Sequence, residues 1–373
     1  MISPRIPALV LALWLIVPWL TAADRPTVIV VTGAPGTTEY QTQFAQWTAH
    51  WKTAATQGDA AYHEIPASSK QAADLKTRLA TETLTGQTPL WLVLIGHGTF
   101  DGKTAKFNLH GPDLTAAELK TWLAKSQRPI AVINCASSSA PFLNTLSGPN
   151  RVILTATRSG AERNFCRLGG YLSRAIASPT ADLDKDGQTS LLEAWLTATR
   201  QTAEFYKNEN RLSPEHALLD DNGDGKGTPL EWFRGIRVTQ ESADPKLLPD
   251  GLRAHQLHLV PSPAERTLTA TQRAQRDTLD LELARLRTRK AALEPDAYYA
   301  KLEQILRQLT PIYHLATTPS HGPSSHQRGL QQRNRSGRQR GRQPGHRRAQ
   351  IKLSRRMGCA RIWREARRRF LMR

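Results

Sequence analysis

The sequence is poor in cysteine, with three residues in a chain of 373: Cys135, Cys166 and Cys359. A small exported domain held together by disulfides needs a denser and even set of thiols, so that class of fold is excluded. An unpaired thiol in an oxidising compartment has to be buried or used in chemistry. The surroundings of each cysteine therefore matter for function.

Long apolar runs are equally scarce. The clearest one is residues 8–20, which follows Arg5 and precedes small residues and Asp24. This pattern is typical of a secretory signal peptide over residues 1–23, and the run is too short for a comfortable membrane span. We expect export to the periplasm or the extracellular space. An uncleaved N-terminal anchor is the alternative interpretation, and only then would the protein contact a membrane.

Acidic residues nearly disappear from the C-terminal part of the chain. From Arg328 to the end there are 17 lysines and arginines and one acid, whereas residues 1–327 carry 34 basic and 31 acidic groups. The formal charge of +19 therefore belongs to the tail. This tail has few aromatic residues that could stack on bases, so nucleic acid is not an expected partner. Residues 317–373 are predicted to be a disordered, arginine-rich tail, although a shifted reading frame would give the same loss of acids.

Strand and helix patterns alternate through the first two thirds of the chain. Apolar runs predict buried strands over residues 27–33, 89–98, 129–135 and 151–160. Helical patterns lie between and after them, over residues 39–57, 69–83, 115–125 and 164–177. Such alternation indicates an α/β fold, with a mostly parallel sheet flanked by helices, which we expect to span residues 24–237.

The pattern changes after residue 237. Residues 238–264 are punctuated by proline and are predicted to be a linker. Residues 265–316 are predicted to form an α-helical hairpin, since Leu302, Ile305 and Leu309 recur at helical spacing in its second half.

His97 and Cys135 are the candidate catalytic residues. His97 follows the apolar run "LWLVLIG", and Cys135 follows "IAVIN". The carboxyl ends of parallel strands meet at one edge of a sheet, where working groups gather. An imidazole beside a thiol lowers the thiol pKa and later protonates the leaving amine, and Gly98 leaves a backbone N–H open to an oxyanion. Taken singly, each residue is more simply interpreted as structural.

An apolar strand ending in His-Gly, followed by an apolar strand ending in a cysteine and small residues, resembles the clan CD cysteine peptidases, which include legumains and caspases. The resemblance implies a caspase–haemoglobinase fold with Cys135 as nucleophile, His97 as acid and base, Gly98 in the oxyanion hole and no catalytic cofactor. The segment "VILTATRSGAERNF" looks like the legumain segment after the nucleophile and makes Glu162 the candidate substrate-binding residue. Legumains carry an acid two residues before the nucleophile; here that position is Ile133, so asparagine specificity is not implied.

Two acidic stretches resemble EF-hand calcium loops. Each places oxygen-bearing groups around a glycine at the sixth loop position, as calcium requires. The first loop, residues 182–193, offers Asp182, Asp184, Asp186, Gln188, Ser190 and Glu193, and the second, residues 220–231, offers Asp220, Asn222, Asp224, Lys226, Thr228 and Glu231. Structural Ca²⁺ is therefore the expected cofactor, although Thr189, Gly227 and Pro229 depart from the pattern of paired EF-hands.

Together these features predict an exported, legumain-like cysteine endopeptidase that acts on a peptide or protein substrate. Two alternatives remain open. One is a non-catalytic calcium-binding scaffold on a peptidase-like fold, and the other is a transpeptidase that uses the same dyad with an amine in place of water. The sequence predicts neither the P1 residue nor an oligomeric state.

Overall fold

The computed structural model describes residues 25–82, 84–240, 244 and 247–317, with only the backbone of residues 316 and 317. The predicted signal peptide, residues 1–23, and the tail from residue 318 onward lie outside the described residues. None of the helices in the described ranges combines the length and the apolar character that crossing a bilayer requires.

The structure alternates strands and helices along most of its length. In chain order the elements are β1 (Thr27–Thr32), α1 (Thr38–Gln57), β2 (Ala61–Ile65), α2 (Gln71–Ala80), β3 (Leu90–Ile95), β4 (Gly98–Phe100), β5 (Ala105–Phe107), β6 (Leu114–Thr115), α3 (Ala116–Trp122), β7 (Ile130–Asn134), α4 (Ala140–Leu146), β8 (Arg151–Thr155), α5 (Leu168–Ala175), α6 (Leu191–Asn208), β9 (Leu218–Asp220), β10 (Thr228–Pro229), β11 (Phe233–Arg234), β12 (Arg237–Val238), α7 (Leu252–Gln256), α8 (Pro263–Arg266), α9 (Ala270–Thr288) and α10 (Pro295–Thr317).

The central sheet has the strand order β10-β9-β8-β7-β3-β1-β2. Strands β2, β1, β3, β7 and β8 run parallel to one another, and β9 and β10 pair antiparallel at one edge. The prediction of an α/β fold with a mostly parallel sheet flanked by helices is confirmed. A small antiparallel sheet, β4-β5-β6, follows directly on the carboxyl end of β3.

The two faces of the central sheet pack against different helices. The first face packs against α1, α5 and α6 through side chains that include Val30, Val93, Ile133 and Cys135. The second face packs against α2, α3 and α4 through side chains that include Val31, Leu92, Leu94 and Val132. Because side chains alternate along a strand, Ile95 and Cys135 both lie on the first face. The carboxyl ends of β3 and β7 thus present the same face to α1 and α5.

The C-terminal helices pack on each other and on the sheet domain. The α9–α10 contact is formed by Leu279, Leu283, Leu286, Ile305, Leu309 and Ile312. Arg266 donates to Gln57 O, at the end of α1, at 2.6 Å. Residues 238–264, predicted to be a linker, carry α7 and the first two residues of α8, and they bury Ala254 and Leu259.

Two adjacent glycines, Gly169 and Gly170, let α5 approach the first face closely. A β-carbon on Gly169 would lie 2.7 Å from the Trp47 ring and 2.9 Å from the β-carbon of Cys135. A β-carbon on Gly170 would lie 2.9 Å from Trp47 Nε1. Glycine lowers helix stability by roughly 1 kcal/mol relative to alanine, and here that cost accompanies the packing of α5 against the residue that follows β7.

Gly169→Ala is expected to lower the free energy of unfolding by about 1–3 kcal/mol, because the added methyl group overpacks the contact with Trp47 and Cys135. Gly148→Ala is the matched control, since a β-carbon there meets nothing within 4 Å. Urea unfolding followed by tryptophan fluorescence measures both variants. Equal stability of the two would contradict the close approach of α5.

Candidate active site

Cys135 and His97 follow neighbouring strands on one face of the sheet. β7 pairs with β3 in parallel, and the Cys135 N–H continues the ladder by donating to Leu94 O at 3.0 Å. Ile95 and Cys135 lie on the first face. The His97 ring, two residues after Ile95, lies beside the Phe44 ring of α1, which belongs to that face. The sheet therefore brings both residues to one edge and one face.

Gly98 and Ser137 join the two chain segments beyond the strand ends. The Gly98 N–H donates to Ser137 Oγ at 3.1 Å, and the same hydroxyl donates to Gly98 O at 3.0 Å. A β-carbon on residue 98 would lie 2.1 Å from Ser137 O, so only glycine fits. In this conformation, the N–H that the resemblance assigns to an oxyanion hole is engaged by a side chain of the loop after β7.

A backbone carbonyl orients the His97 ring. His97 Nε2 lies 3.1 Å from Pro35 O, and since a carbonyl can only accept, Nε2 carries the proton in this contact. In the neutral ring Nδ1 then keeps its lone pair, as a general base requires. The rings of Tyr40, Phe44 and Phe165 surround the imidazole at centroid distances of 4.8, 5.3 and 6.0 Å.

The Cys135 thiol is closed off from solvent. Cys135 is 1% exposed, and burial, followed by the charge of Glu215, raises the pKa of Cys135 to about 12. The described residues show no hydrogen bond between this thiol and the His97 ring. The thiol is therefore neutral near pH 7 in this conformation, and a reactive thiolate requires a change in its surroundings.

The loop after Cys135 is fixed by the segment that follows β8. Ser138 has a φ of +53°, a left-handed conformation that is uncommon outside glycine. Its N–H donates to Glu162 O at 2.8 Å. Ser139 Oγ accepts the Thr157 N–H at 3.2 Å. Residues 157–162 therefore help to set the shape of the loop that carries the candidate nucleophile.

Glu162 lies next to this loop, and the protein itself engages its carboxylate. Oε1 is 2.6 Å from His216 Nδ1 and 3.3 Å from Arg158 Nε. Oε2 accepts the N–H groups of Arg158 and His216 at 3.0 and 3.2 Å. Glu162 thus braces the segment after β8, and its role in binding a substrate stays a prediction.

Glu215, which the sequence pattern does not single out, anchors the start of α5 near the thiol. Its carboxylate accepts the N–H groups of Arg167 and Leu168 at 2.8–3.2 Å and the Tyr206 hydroxyl at 2.9 Å. Burial raises the pKa of Glu215, and these hydrogen bonds oppose that rise. The sequence carries no signal for this role, because the N–H groups that it caps lie 47 and 48 residues earlier.

The first acidic loop folds around its own carboxylates. Asp182 accepts the Gly187 N–H at 3.1 Å, and Gly187, at the sixth loop position, has a φ of +92° that favours glycine. One carboxylate oxygen from each of Asp182, Asp184 and Asp186 lies within 4.8 Å of the other two. Clustered oxygens on a glycine turn fit calcium.

The end of the first acidic loop begins α6. Ser190 and Glu193 form a capping box, in which Ser190 Oγ accepts the Glu193 N–H at 3.3 Å and Glu193 Oε2 accepts the Ser190 N–H at 2.9 Å. The Gln188 side chain instead accepts the Ser262 N–H at 3.0 Å. This loop is therefore attached to the segment before α8.

The second acidic loop has the same turn. Asp220 accepts the Gly225 N–H at 3.0 Å, and Gly225 has a φ of +72°. Asn222 accepts the Asp224 N–H at 2.9 Å. Burial raises the pKa of Asp220. The turn continues with a hydrogen bond of 2.8 Å from the Lys226 N–H to Asp224 Oδ1.

The last two predicted ligands of the second loop, Thr228 and Glu231, take no part in this turn. Thr228 Oγ1 donates to Asp250 Oδ2 at 2.6 Å, and Glu231 is exposed. Among the His, Cys, Asp and Glu side chains of the described residues, sets of three ligand atoms within 4.8 Å of one another occur at the first loop and not at the second, which has Asn222 and Thr228 at two of its ligand positions. The first loop therefore clusters more carboxylates, and calcium binding at either loop stays a prediction.

No protein-family model matches this chain, and no curated protein matches it in sequence. Among solved structures the chain is similar to the Drosophila initiator caspase Dronc, with 15% sequence identity, a TM-score of 0.35, and coverage of 56% of this chain and 83% of that chain. This likeness is one of architecture.

Burial predicts slow alkylation of Cys135 in the folded protein. Near neutral pH, iodoacetamide should modify Cys135 at least about 100-fold more slowly in the folded protein than in urea, because the thiolate fraction falls tenfold for each unit of raised pKa. The rate should keep rising with pH beyond about 9, where an ordinary thiol levels off. Peptide mass spectrometry separates Cys135 from Cys166 and Cys359. Rapid modification at neutral pH would show an accessible thiolate and contradict the closed site.

Proposed function

We propose that this chain is a cysteine-type endopeptidase in which Cys135 is the nucleophile and His97 the general base. The observation that carries the proposal is the placement of both residues at the ends of neighbouring parallel strands, on one face of the sheet. The Pro35 carbonyl supports it, because it favours the ring tautomer that a base needs. We also propose legumain-like activity and export through residues 1–23; a mature N-terminus at residue 24 would support export.

In the proposed reaction, His97 takes the proton of the Cys135 thiol as the sulfur attacks the substrate carbonyl carbon. The tetrahedral intermediate collapses when His97 gives that proton to the leaving amine, and a thioester remains on Cys135. Water, deprotonated by His97, then attacks the thioester and releases the acid and the thiol. An amine in place of water would make the same residues a transpeptidase.

The observed conformation has to open before this reaction can occur. The Cys135 sulfur is buried, and the Gly98 N–H is held by Ser137 Oγ. The rings of Tyr40 and Phe165, 4.5 Å apart, lie against the His97 ring. We propose that substrate binding or cleavage of the chain displaces this aromatic contact and exposes the dyad.

A non-catalytic scaffold is the second candidate function. Three observations favour it: the buried thiol, its raised pKa and the engaged N–H groups of Gly98 and Cys135. The two candidates differ in whether Cys135 can be made reactive toward a substrate-like electrophile.

Covalent labelling with peptidyl acyloxymethyl ketones that differ in the P1 residue separates the candidates. The full chain, with calcium and before and after limited proteolysis, should be labelled at Cys135, as read by mass spectrometry. Cys135→Ala should abolish the labelling, and His97→Ala should slow it by about 10²–10⁴-fold, the usual contribution of a general base.

Two variants control for unspecific effects on the fold. Cys166→Ala removes the other buried thiol of the described residues, and His110→Ala removes an exposed histidine; both should keep the labelling. No labelling by any probe in folded protein, before or after proteolysis, would instead establish the scaffold. Adding an amine during turnover distinguishes transpeptidation, which gives the ligated product, from hydrolysis.

We propose that structural Ca²⁺ occupies the acidic loops, more tightly in the first. At a concentration about 100 times the dissociation constant, calcium should stabilise the fold by about 2.7 kcal/mol. Asp182→Asn should remove more of the calcium-dependent rise in melting temperature than Asp220→Asn, because the first loop clusters three carboxylates. Asp101→Asn, in an exposed turn, is the matched control. A melting temperature that is the same with and without calcium would overturn the proposal.

A further inference from the structure

Asp184, Glu193 and His255 meet where the first acidic loop contacts α7. One carboxylate oxygen or ring nitrogen from each lies within 4.8 Å of the other two, and His255 Nε2 is 3.2 Å from Asp184 Oδ2. The cluster is shielded from solvent: Glu193 is 0% exposed, and the side chains of Asp184 and His255 are 7% and 13% exposed. His255 lies 71 residues after Asp184, outside the loop motif.

The backbone that carries His255 is anchored independently of this cluster. Asp221 accepts the N–H groups of Gly251 and Ala254 at 3.0 and 2.7 Å, which fixes the first turn of α7. On the other side, the Leu191 N–H donates to Leu257 O at 2.8 Å. The imidazole is thus held against the loop by a helix that is attached at both ends, as a preorganised site requires.

Hydrogen bonds also fix the two carboxylates. Glu193 Oε1 accepts the N–H groups of Leu183 and Asp184 at 2.8 and 3.1 Å, and its Oε2 accepts the N–H and the hydroxyl of Ser190 at 2.9 and 2.8 Å. A bound cation would therefore replace one of these four hydrogen bonds, since a carboxylate has about four lone-pair sites. Asp184 Oδ1 accepts the Asp186 N–H at 3.2 Å, and its Oδ2 lies beside His255. Carboxylates that bind metals are oriented by outer hydrogen bonds of this kind.

Asp184 belongs to two overlapping sets of ligand atoms. With Asp182 and Asp186 it forms a set of oxygens alone, and with Glu193 and His255 it forms a mixed set of oxygens and an imidazole nitrogen. Calcium takes oxygen ligands, whereas imidazole suits zinc and the neighbouring transition metals. We propose that Asp184, Glu193 and His255 form a binding site for a transition-metal dication of the zinc class.

A cavity of about 520 Å³ reaches one of the three proposed ligands, His255. It lies between the first acidic loop, α7 and α9, and Asp186, Gln188 and His255 are among the residues that line it. A hydrated cation can therefore reach His255 without opening the core of the sheet domain. Once bound, it links the start of α6 to α7 and so attaches the C-terminal helices to the sheet domain.

The test compares cobalt and zinc binding in the metal-free full chain and its variants. Co²⁺, the probe, should give the visible absorption of low-coordinate nitrogen and oxygen ligation. Zn²⁺ should displace it at far lower concentrations than Ca²⁺, which competes only for the shared carboxylates and not for His255. His255→Ala should remove this absorption and weaken Zn²⁺ at least about 100-fold, since even the loss of an outer-shell partner costs 10–100-fold. His110→Ala, the loss of an exposed histidine, should change neither.

Further variants separate the loss of the metal site from misfolding and from the loss of calcium binding. His255→Gln keeps a hydrogen-bonding side chain beside Asp184 and should also lose the absorption, so both variants are compared after circular dichroism has shown a native fold. Asp182→Asn should weaken calcium and leave cobalt binding intact, because Asp182 belongs to the oxygen set alone. Unchanged cobalt absorption and zinc affinity in folded His255→Ala and His255→Gln would overturn the proposal, as would displacement of Co²⁺ by Ca²⁺ at concentrations as low as those at which Zn²⁺ displaces it.

Discussion

The parallel pairing of β3 with β7 is the constraint on which the candidate active site depends. The ladder determines that the Cys135 N–H meets Leu94 O, and the alternation of side chains then places Cys135 on the face that the His97 ring also contacts. A slip of one residue would send the thiol to the opposite face. The contact between Gly98 and Ser137, which only glycine permits, reinforces this register beyond the strand ends. The relative placement of Cys135 and His97 therefore depends on the sheet as a whole more than on the two residues themselves.

The same pairing places the Cys135 thiol in surroundings that disfavour its ionisation to the thiolate. Close packing of α5, made possible by Gly169, surrounds Cys135 with apolar side chains and the charge of Glu215. Raising the pKa from about 9 to about 12 makes the thiolate costlier by on the order of 4 kcal/mol. An imidazole brought to hydrogen-bond distance of the thiol would offset part of this cost, and water entering an opened site would offset more. Opening is thus a part of activation in the proposed enzyme and cannot be replaced by a base alone.

The sequence predicts the strands that are continuous apolar runs. It does not predict contacts between residues that are far apart in the chain and meet only in the folded protein. Strands β1, β3, β7 and β8 were predictable because strands covered on both faces are continuous apolar runs, whereas β2, an edge strand of half-exposed side chains, and the three-residue β9 carry no such run. His97 and Cys135 stood out because they end two of these runs. Gly98 was predicted for an open N–H, yet the structure shows that close approach of Ser137 requires it. Glu215 and Pro35 could not be found, because only folding brings them to the site.

Several acidic side chains in the second half of the domain are buried near α7, where their charges are costly to hold. Asp220, Asp221 and Asp250 are nearly fully buried, and buried charges destabilise a fold unless hydrogen bonds or opposite charges compensate them. Backbone N–H groups provide part of the compensation, including those of Gly251 and Ala254 at the start of α7. A dication at the second loop, where Asp220 is a predicted ligand, would provide more of it, since a cation converts repulsion between carboxylates into shared attraction. Because both loops contact the segment around α7, cation occupancy would govern how firmly this segment, and the helical hairpin that follows it, is attached to the sheet.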